Sequence, residues 1–157
     1  MFGFHLKENT LNEINKLRKY KCNLIQIFPD ELEEVNFILT KNKITDLNYI
    51  IHSSFIINIS QPFRPKSYTT LKCIEEIKES MKYNVLGYVL HVGIVRKKIK
   101  MTQQQAFNNM VNILIYISKF FKLHKNNKFT IYLELLAGSE NDIIYNLIDQ
   151  NNYLSLK

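Results

Sequence analysis

The stretch that decides the fold is residues 86–93, Leu-Gly-Tyr-Val-Leu-His-Val-Gly. It is a nearly unbroken apolar run that ends in one histidine and then turns at a glycine. Runs of this kind are typical of strands in a parallel sheet that is covered on both faces. Residues 103–121 carry apolar side chains at helical spacing, so a strand followed by a long helix is predicted here.

Two further runs have the same form. Residues 49–52 read Tyr-Ile-Ile-His and residues 131–134 read Ile-Tyr-Leu-Glu, so three mostly apolar residues precede an imidazole or a carboxylate. The last residues of the three runs are 39 positions apart, from His52 to His91, and then 43 positions apart, from His91 to Glu134. Both intervals are close to the length of one strand–helix–strand repeat with its loops.

Strands and helices alternate along the rest of the chain. The predicted strands are residues 2–6, 23–28, 47–52, 87–91 and 129–134, and the predicted helices are residues 11–18, 30–39, 69–81, 103–121 and 141–148. Five strands separated by helices indicate a parallel sheet with right-handed crossovers. We therefore predict a single α/β domain over residues 1–157.

The charge balance favours a polyanionic partner. Lys and Arg number 21 against 14 Asp and Glu, a net charge of +7, and nucleic acid is the commonest polyanion that such a surface attracts. The chain is also rich in Lys, Asn and Ile, which AT-rich codons produce, so genome composition is a second explanation of the charge.

Cysteine usage and hydropathy indicate where the chain works. Cys22 and Cys73 are far apart in sequence and are predicted to be buried, reduced thiols. Residues 85–95 are the most apolar run and are too short to span a bilayer, and the N-terminus lacks the pattern of a signal peptide. We expect a cytoplasmic or nuclear protein that is neither secreted nor associated with a membrane.

His52, His91 and Glu134 are the candidate functional residues. A parallel βα barrel carries its chemistry at the carboxyl ends of its strands, and neighbouring strands lie about 4.8 Å apart, so we expect these side chains to converge. Two imidazoles and one carboxylate would make an open zinc site with a position left for water. An acid–base site and ordinary polar strand ends are the alternatives. His5, at the end of the first strand, is predicted to be an accessory or structural residue.

Four segments resemble the endonuclease IV family of zinc-dependent apurinic/apyrimidinic endonucleases. In that family the four segments have the sequence motifs of a Gly-x-His strand, a His-x-x-aromatic-x-x-Asn turn, a Leu-His-Pro-Gly turn and a Glu-x-x-Ala-Gly turn. The matching segments here are residues 2–6, 51–58, 86–93 and 132–138, in the same order. The resemblance implies a TIM barrel, of which this chain would be the N-terminal part: a truncated (β/α) barrel of about five parallel strands with flanking helices.

The same resemblance implies roles for particular residues. His52, His91 and Glu134 match zinc ligands, and Glu134 is also the implied catalytic residue. Phe55 and Asn58 match positions near the DNA. The implied activity is hydrolysis of the phosphodiester bond 5′ to an abasic site, so the implied substrate is DNA that contains abasic sites and the implied process is DNA repair.

The chain also departs from the family pattern. Val92 replaces the proline of the Leu-His-Pro-Gly turn, and residues 29–34 are acidic where the family places residues that enter DNA, which would repel phosphate. The ligands on the last three family strands have no counterpart, so one zinc site is expected. A non-catalytic or split barrel, closed by a second chain and binding metal, DNA or protein, is therefore an alternative to the hydrolase. A sugar isomerase-like barrel is another.

Overall fold

A computed structural model describes residues 3–6, 11–83, 85–95, 100–122 and 129–134, with the backbone alone for residues 3–5. The strands are β1 (Gly3–His5), β2 (Leu24–Ile27), β3 (Asn48–His52), β4 (Gly87–His91) and β5 (Thr130–Glu134). The helices are α1 (Leu11–Lys19), α2 (Leu32–Lys41), α3 (Tyr68–Ser80) and α4 (Gln103–Phe121). The predicted helix at 141–148 lies outside the described residues.

The five strands form one sheet in the order β1-β2-β3-β4-β5. β1 pairs with β2, β2 with β3 and β3 with β4, each in parallel. At the other side of β4, the Thr130 N–H donates to the Leu86 carbonyl at 3.1 Å and the Val92 N–H donates to the Glu134 carbonyl at 3.2 Å. In a parallel ladder these two bonds place His91 beside Glu134. The predicted α/β fold of parallel strands with flanking helices is confirmed.

One helix begins later than the charge pattern predicts. A helix was expected from Asp30, but Pro29–Glu31 form a single 3-10 turn and α2 begins at Leu32. Proline suits the first position of this turn because its fixed φ is already helical. The Glu31 Oε2 accepts a hydrogen bond from the Phe28 N–H at 2.6 Å. Glu31 therefore caps the 3-10 turn that precedes α2.

The chain divides into two compact units. The first comprises residues 1–54, 75–89 and 127–132, and the second comprises residues 55–74, 90–126 and 133–157. The prediction of a single domain stays a prediction.

The first unit has an aliphatic core. Its fully buried side chains include Ile14, Ile25, Ile27, Val35 and Ile51. In β2 the buried residues alternate with half-buried ones, as expected for successive side chains that point to opposite faces of a strand.

The core of the second unit centres on α4. Its buried side chains recur at helical spacing, at Ala106, Met110, Ile113 and Ile117. Val95, Met101 and Phe107 pack against Ala106. Thr102 caps the helix, since its side chain accepts a hydrogen bond from the Gln105 N–H at 3.2 Å. This cap explains why the helix begins where the pattern of apolar residues starts. Within the described ranges, no helix combines the length and hydrophobicity needed to cross a bilayer.

Helix α3 buries the predicted Ile74 and Ile77, but its buried face also contains polar residues and leaves out Leu71. The helical spacing of Leu71, Ile74, Ile77 and Met81 predicts that they share one buried face, yet Leu71 is 52% exposed. Glu76 and Ser80 are buried instead. The Ser80 hydroxyl donates to the Glu76 carbonyl at 2.7 Å. Polar side chains can occupy this face because their hydrogen bonds are satisfied inside the protein.

We expect Gly87→Ala to destabilise the pairing of β4 with β5. An added Cβ would overlap the Thr130 carbonyl oxygen and lie 2.7 Å from the Tyr132 ring. Because the Thr130 atom belongs to the backbone, the neighbouring strand would have to move, at a cost of about 1–3 kcal/mol in the free energy of unfolding. Urea unfolding measures this change. Leu71→Ala, at an exposed site, is the control with an expected change within about 0.5 kcal/mol; equal losses would contradict this packing.

Candidate metal centre

His91 and Glu134 end neighbouring strands and their side chains are in contact. His91 is the last residue of β4 and Glu134 is the last residue of β5. The His91 Nε2 lies 3.3 Å from the Glu134 Oε2, and the two side chains are 17% and 46% exposed. The contact is an ion pair when His91 is protonated. Because Glu134 is half exposed, its carboxylate can also reach solvent.

His52 ends β3 and is 6% exposed. Its Nδ1 lies 2.9 Å from the Ser53 carbonyl oxygen. A carbonyl oxygen can only accept, so the Nδ1 carries the proton in this hydrogen bond. The Nε2 is then the nitrogen whose lone pair can bind a metal. The Phe28 ring meets the imidazole edge-on, with centroids 5.4 Å apart, which restricts the orientation of the imidazole.

The strand register places the three residues on one face of the sheet. His52 pairs with Val89, and His91 is two positions further along β4, so both point to the same side. His91 in turn lies beside Glu134. Each of the three residues offers one ligand atom, and these atoms all lie within 4.8 Å of one another. In the part of the chain that the structure describes, this is the group of His, Cys, Asp and Glu residues that could hold a metal ion.

The donor set fits zinc. Two imidazole nitrogens and one carboxylate oxygen are a set found in catalytic zinc sites, with bonds of about 2.0–2.2 Å, which separates neighbouring ligand atoms in a tetrahedral site by about 3.3 Å. The His91–Glu134 distance of 3.3 Å agrees with that separation. Beside His52, the buried Ser53 hydroxyl has no hydrogen-bond partner among the described residues. Such a hydroxyl is satisfied when a bound ligand or water is present.

Phe55 and Asn58, predicted to lie near DNA, have contrasting environments. Phe55 is 74% exposed, and its ring centroid is 6.0 Å from that of His91. Asn58 is buried. Its Oδ1 accepts from the Ile94 N–H at 3.3 Å and its Nδ2 donates to the Ile94 carbonyl at 3.0 Å. Contact with DNA stays a prediction for both residues. His5 ends β1, but its side chain lies outside the described residues.

Asn58 joins the segment after β3 to the segment after β4. Besides Ile94, its Oδ1 accepts hydrogen bonds from the Ser60 N–H at 3.2 Å and the Ser60 hydroxyl at 2.6 Å. Gly93 lies against this amide, with a φ of +88° that favours glycine, and an added Cβ would overlap the Asn58 Oδ1. The turn that follows His91 is therefore fixed by a buried amide and by a residue without a side chain.

The sequence does not predict the role of Glu76, a buried residue that contacts the segment after His52. The carboxylate of Glu76, on α3, accepts hydrogen bonds from the Ser54 N–H at 3.2 Å, from the Ser54 hydroxyl and from the Tyr88 hydroxyl at 2.5 Å. The sequence does contain a signal that Glu76 is buried, because residues 73, 76, 77 and 80 have the spacing of one helical face. A glutamate on that face is recognised as buried only when its hydrogen-bond donors are known.

Comparisons with known proteins support the fold and part of the family resemblance. No family model matches the chain. "Probable endonuclease 4" of Petrotoga mobilis is 32% identical over 115 residues, which are 68% of this chain and 37% of that protein. This chain therefore spans little more than a third of the length of that relative.

Among solved structures, a D-tagatose 3-epimerase-like protein superimposes with a TM-score of 0.66 at 11% identity, covering 90% of this chain and 55% of that one. An identity this low is informative about the fold alone. It confirms the predicted α/β fold of the barrel type. Taken together, the two similarities support the xylose isomerase-like TIM barrel superfamily.

We expect Asn58→Ala to destabilise the segments that follow β3 and β4. The substitution removes the acceptor of the Ser60 and Ile94 N–H groups. An unpaired buried donor costs about 1–3 kcal/mol, to be measured as the free energy of unfolding in urea. Asn108→Ala is the matched control, because Asn108 is exposed and bonds only a neighbouring glutamine among the contacts seen on α4. A variant as stable as the control would mean that the turns do not depend on this amide.

Proposed function

We propose that this chain is the zinc-binding part of an endonuclease IV-like DNA repair barrel. In this proposal His52, His91 and Glu134 hold one zinc ion, and the substrate is DNA that contains abasic sites. The observation that carries the proposal is the convergence of three ligand atoms within 4.8 Å at strand ends. The similarity to a protein named as a probable endonuclease 4 supports the choice of substrate.

The side chains have distinct tasks in this proposal. A zinc ion held here would polarise a phosphate oxygen and make a water molecule more acidic. Glu134 is the proposed catalytic residue because its half-exposed carboxylate can accept a proton from the attacking water. His52 is buried and its ring is held by the Ser53 carbonyl, so it serves to fix the position of the metal. His91 is the second imidazole ligand in this proposal, and its contact with Glu134 holds the carboxylate next to the metal position.

Two features bear on how DNA would be bound. The net charge of +7 favours phosphate-rich partners. The exposed ring of Phe55, close to His91, is a surface on which an unpaired base opposite the abasic site can stack. In the acidic stretch after β2, the Glu31 carboxylate caps the 3-10 turn that precedes α2, and we assign this stretch no contact with DNA because its charge would repel phosphate. Phe55 is therefore the proposed DNA-contacting residue with the most direct structural support.

A metal-binding module without nuclease activity is the second candidate. Within the described residues, one group of three ligands was found, whereas the family reaction uses a cluster of metals. Strand β5 also exposes apolar side chains at Tyr132 and Leu133, which lie on opposite faces of the strand and which further elements of a barrel would cover. A second chain that completes the barrel is part of this candidate function. In that case this chain alone would bind zinc without cleaving DNA.

We expect the purified chain to bind about one zinc ion and the His52→Ala/His91→Ala variant to bind none, because two of the three proposed ligands are lost. Elemental analysis after dialysis measures the metal content. Asn108→Ala, at an exposed site on α4, is the control and should retain the metal. Zinc that is absent from the unaltered chain, or that persists in the double variant, would contradict the proposed site.

A nicking assay separates the two candidate functions. The zinc-loaded chain is incubated with duplex DNA that carries one abasic site, and with intact duplex as the control. Cleavage 5′ to the abasic site, lost in Glu134→Gln, supports the repair enzyme. Stoichiometric zinc with no cleavage supports the non-catalytic module. Cleavage that Glu134→Gln leaves unchanged would contradict the catalytic role of this carboxylate.

A further inference from the structure

Glu76 is a buried carboxylate that the proposed chemistry does not use. It is 3% exposed, and burying a carboxylate is costly unless donors surround it. Ser54 donates to it through both its backbone N–H and its hydroxyl, and Tyr88 donates through its own hydroxyl. Helix α3 therefore holds a negative acceptor against the residue that lies two positions after His52. This location places a carboxylate next to the segment that follows a proposed metal ligand.

One peptide group connects this carboxylate to His52. The Ser53 carbonyl accepts the hydrogen bond from the His52 Nδ1 at 2.9 Å. The Ser54 N–H, on the other side of the same peptide bond, donates to the Glu76 Oε2 at 3.2 Å. The peptide is planar and its electrons are delocalised. A negative acceptor at its N–H therefore strengthens its carbonyl as an acceptor, as in other chains of hydrogen bonds.

We infer that Glu76 is a positioning residue for His52, acting through the Ser53–Ser54 peptide. It keeps the imidazole proton on Nδ1 and leaves Nε2 as the metal-binding nitrogen. Metal-ligating histidines commonly donate their other N–H to a carboxylate or carbonyl, which fixes the tautomer and raises the basicity of the ligand. Here the carboxylate and the carbonyl lie in series. The inference rests on the proposed function only in taking His52 as a metal ligand.

The contacts of Glu76 have two separable effects, one on the packing of α3 and one on His52. The Tyr88 hydroxyl also bonds the Glu76 Oε2, so part of the carboxylate serves to fasten α3 to β4. That part of the interaction would affect stability without changing the tautomer of His52. The contact with the Ser54 N–H would affect both. Variants that remove one contact at a time can therefore separate a positioning role from a structural one.

The test is the tautomer of His52 in the metal-free full chain. Nitrogen chemical shifts of the ring, recorded by NMR at a pH of about 8, where an ordinary imidazole is neutral, report which nitrogen carries the proton. We expect Nδ1–H in the unaltered chain and a loss of this preference in Glu76→Gln. The zinc affinity of Glu76→Gln, measured by competition with a chelator, should fall by about 10–100-fold.

Two controls accompany this variant. Tyr88→Phe removes the Tyr88 hydroxyl that donates to Glu76 and keeps the Ser54 contact, so the tautomer should not change. Glu79→Gln removes an exposed carboxylate of the same helix, which pairs with Lys82, and should change neither the tautomer nor the zinc affinity. If Glu76→Gln does not fold, Glu76→Asp takes its place, since it keeps the charge but withdraws it by one methylene.

The outcomes distinguish this inference from the proposed function. A proton on Nε2 in the unaltered chain would overturn the inference without any variant. A folded Glu76→Gln chain with an unchanged tautomer and unchanged zinc affinity would overturn it as well. If the tautomer depends on Glu76 but zinc does not bind to the unaltered chain, the proposed zinc site is wrong and the link between Glu76 and His52 stands.

Discussion

The hydrogen bond from the Val92 N–H to the Glu134 carbonyl is the constraint on which the candidate metal centre depends. It fixes the register of β5 against β4, and a shift by one residue would send Glu134 to the opposite face of the sheet. The pairing of β3 with β4 does the same for His52. The three side chains can converge because backbone bonds align the carboxyl ends of their strands. Side-chain contacts then refine a placement that the main chain has already determined.

Buried polar groups hold the residues that directly follow β3 and β4. Asn58 satisfies both backbone groups of Ile94, and Glu76 holds the Ser54 N–H. Each of the two histidines is thus followed by a turn that a buried side chain fixes from a distant part of the sequence. Orientation of a metal ligand requires this kind of support, because a ligand on a loosely held loop would lose rotational freedom on binding.

The fold could be predicted from the sequence, and the site could be predicted in part. Both β4 and α4 have the predicted bounds, since a short apolar run and a long helical period are unambiguous signals. The convergence of His52, His91 and Glu134 followed from their spacing and from parallel topology. Glu76 and the structural contacts of Asn58 could not be predicted, because their partners, Tyr88 and Ile94, are remote in sequence. Leu71 was misplaced for a related reason: the buried face of α3 contains polar residues.

The spacing of the three candidate ligands has a consequence for folding. They are 39 and 43 residues apart in sequence, so no two of them are close in the unfolded chain. An ion held by all three would act after β3, β4 and β5 have paired, and it would bind the native state in preference to the denatured one. It would therefore slow unfolding rather than accelerate folding. Strands that pair over such distances in sequence form slowly. The bound cation would therefore extend the lifetime of the sheet once it has formed.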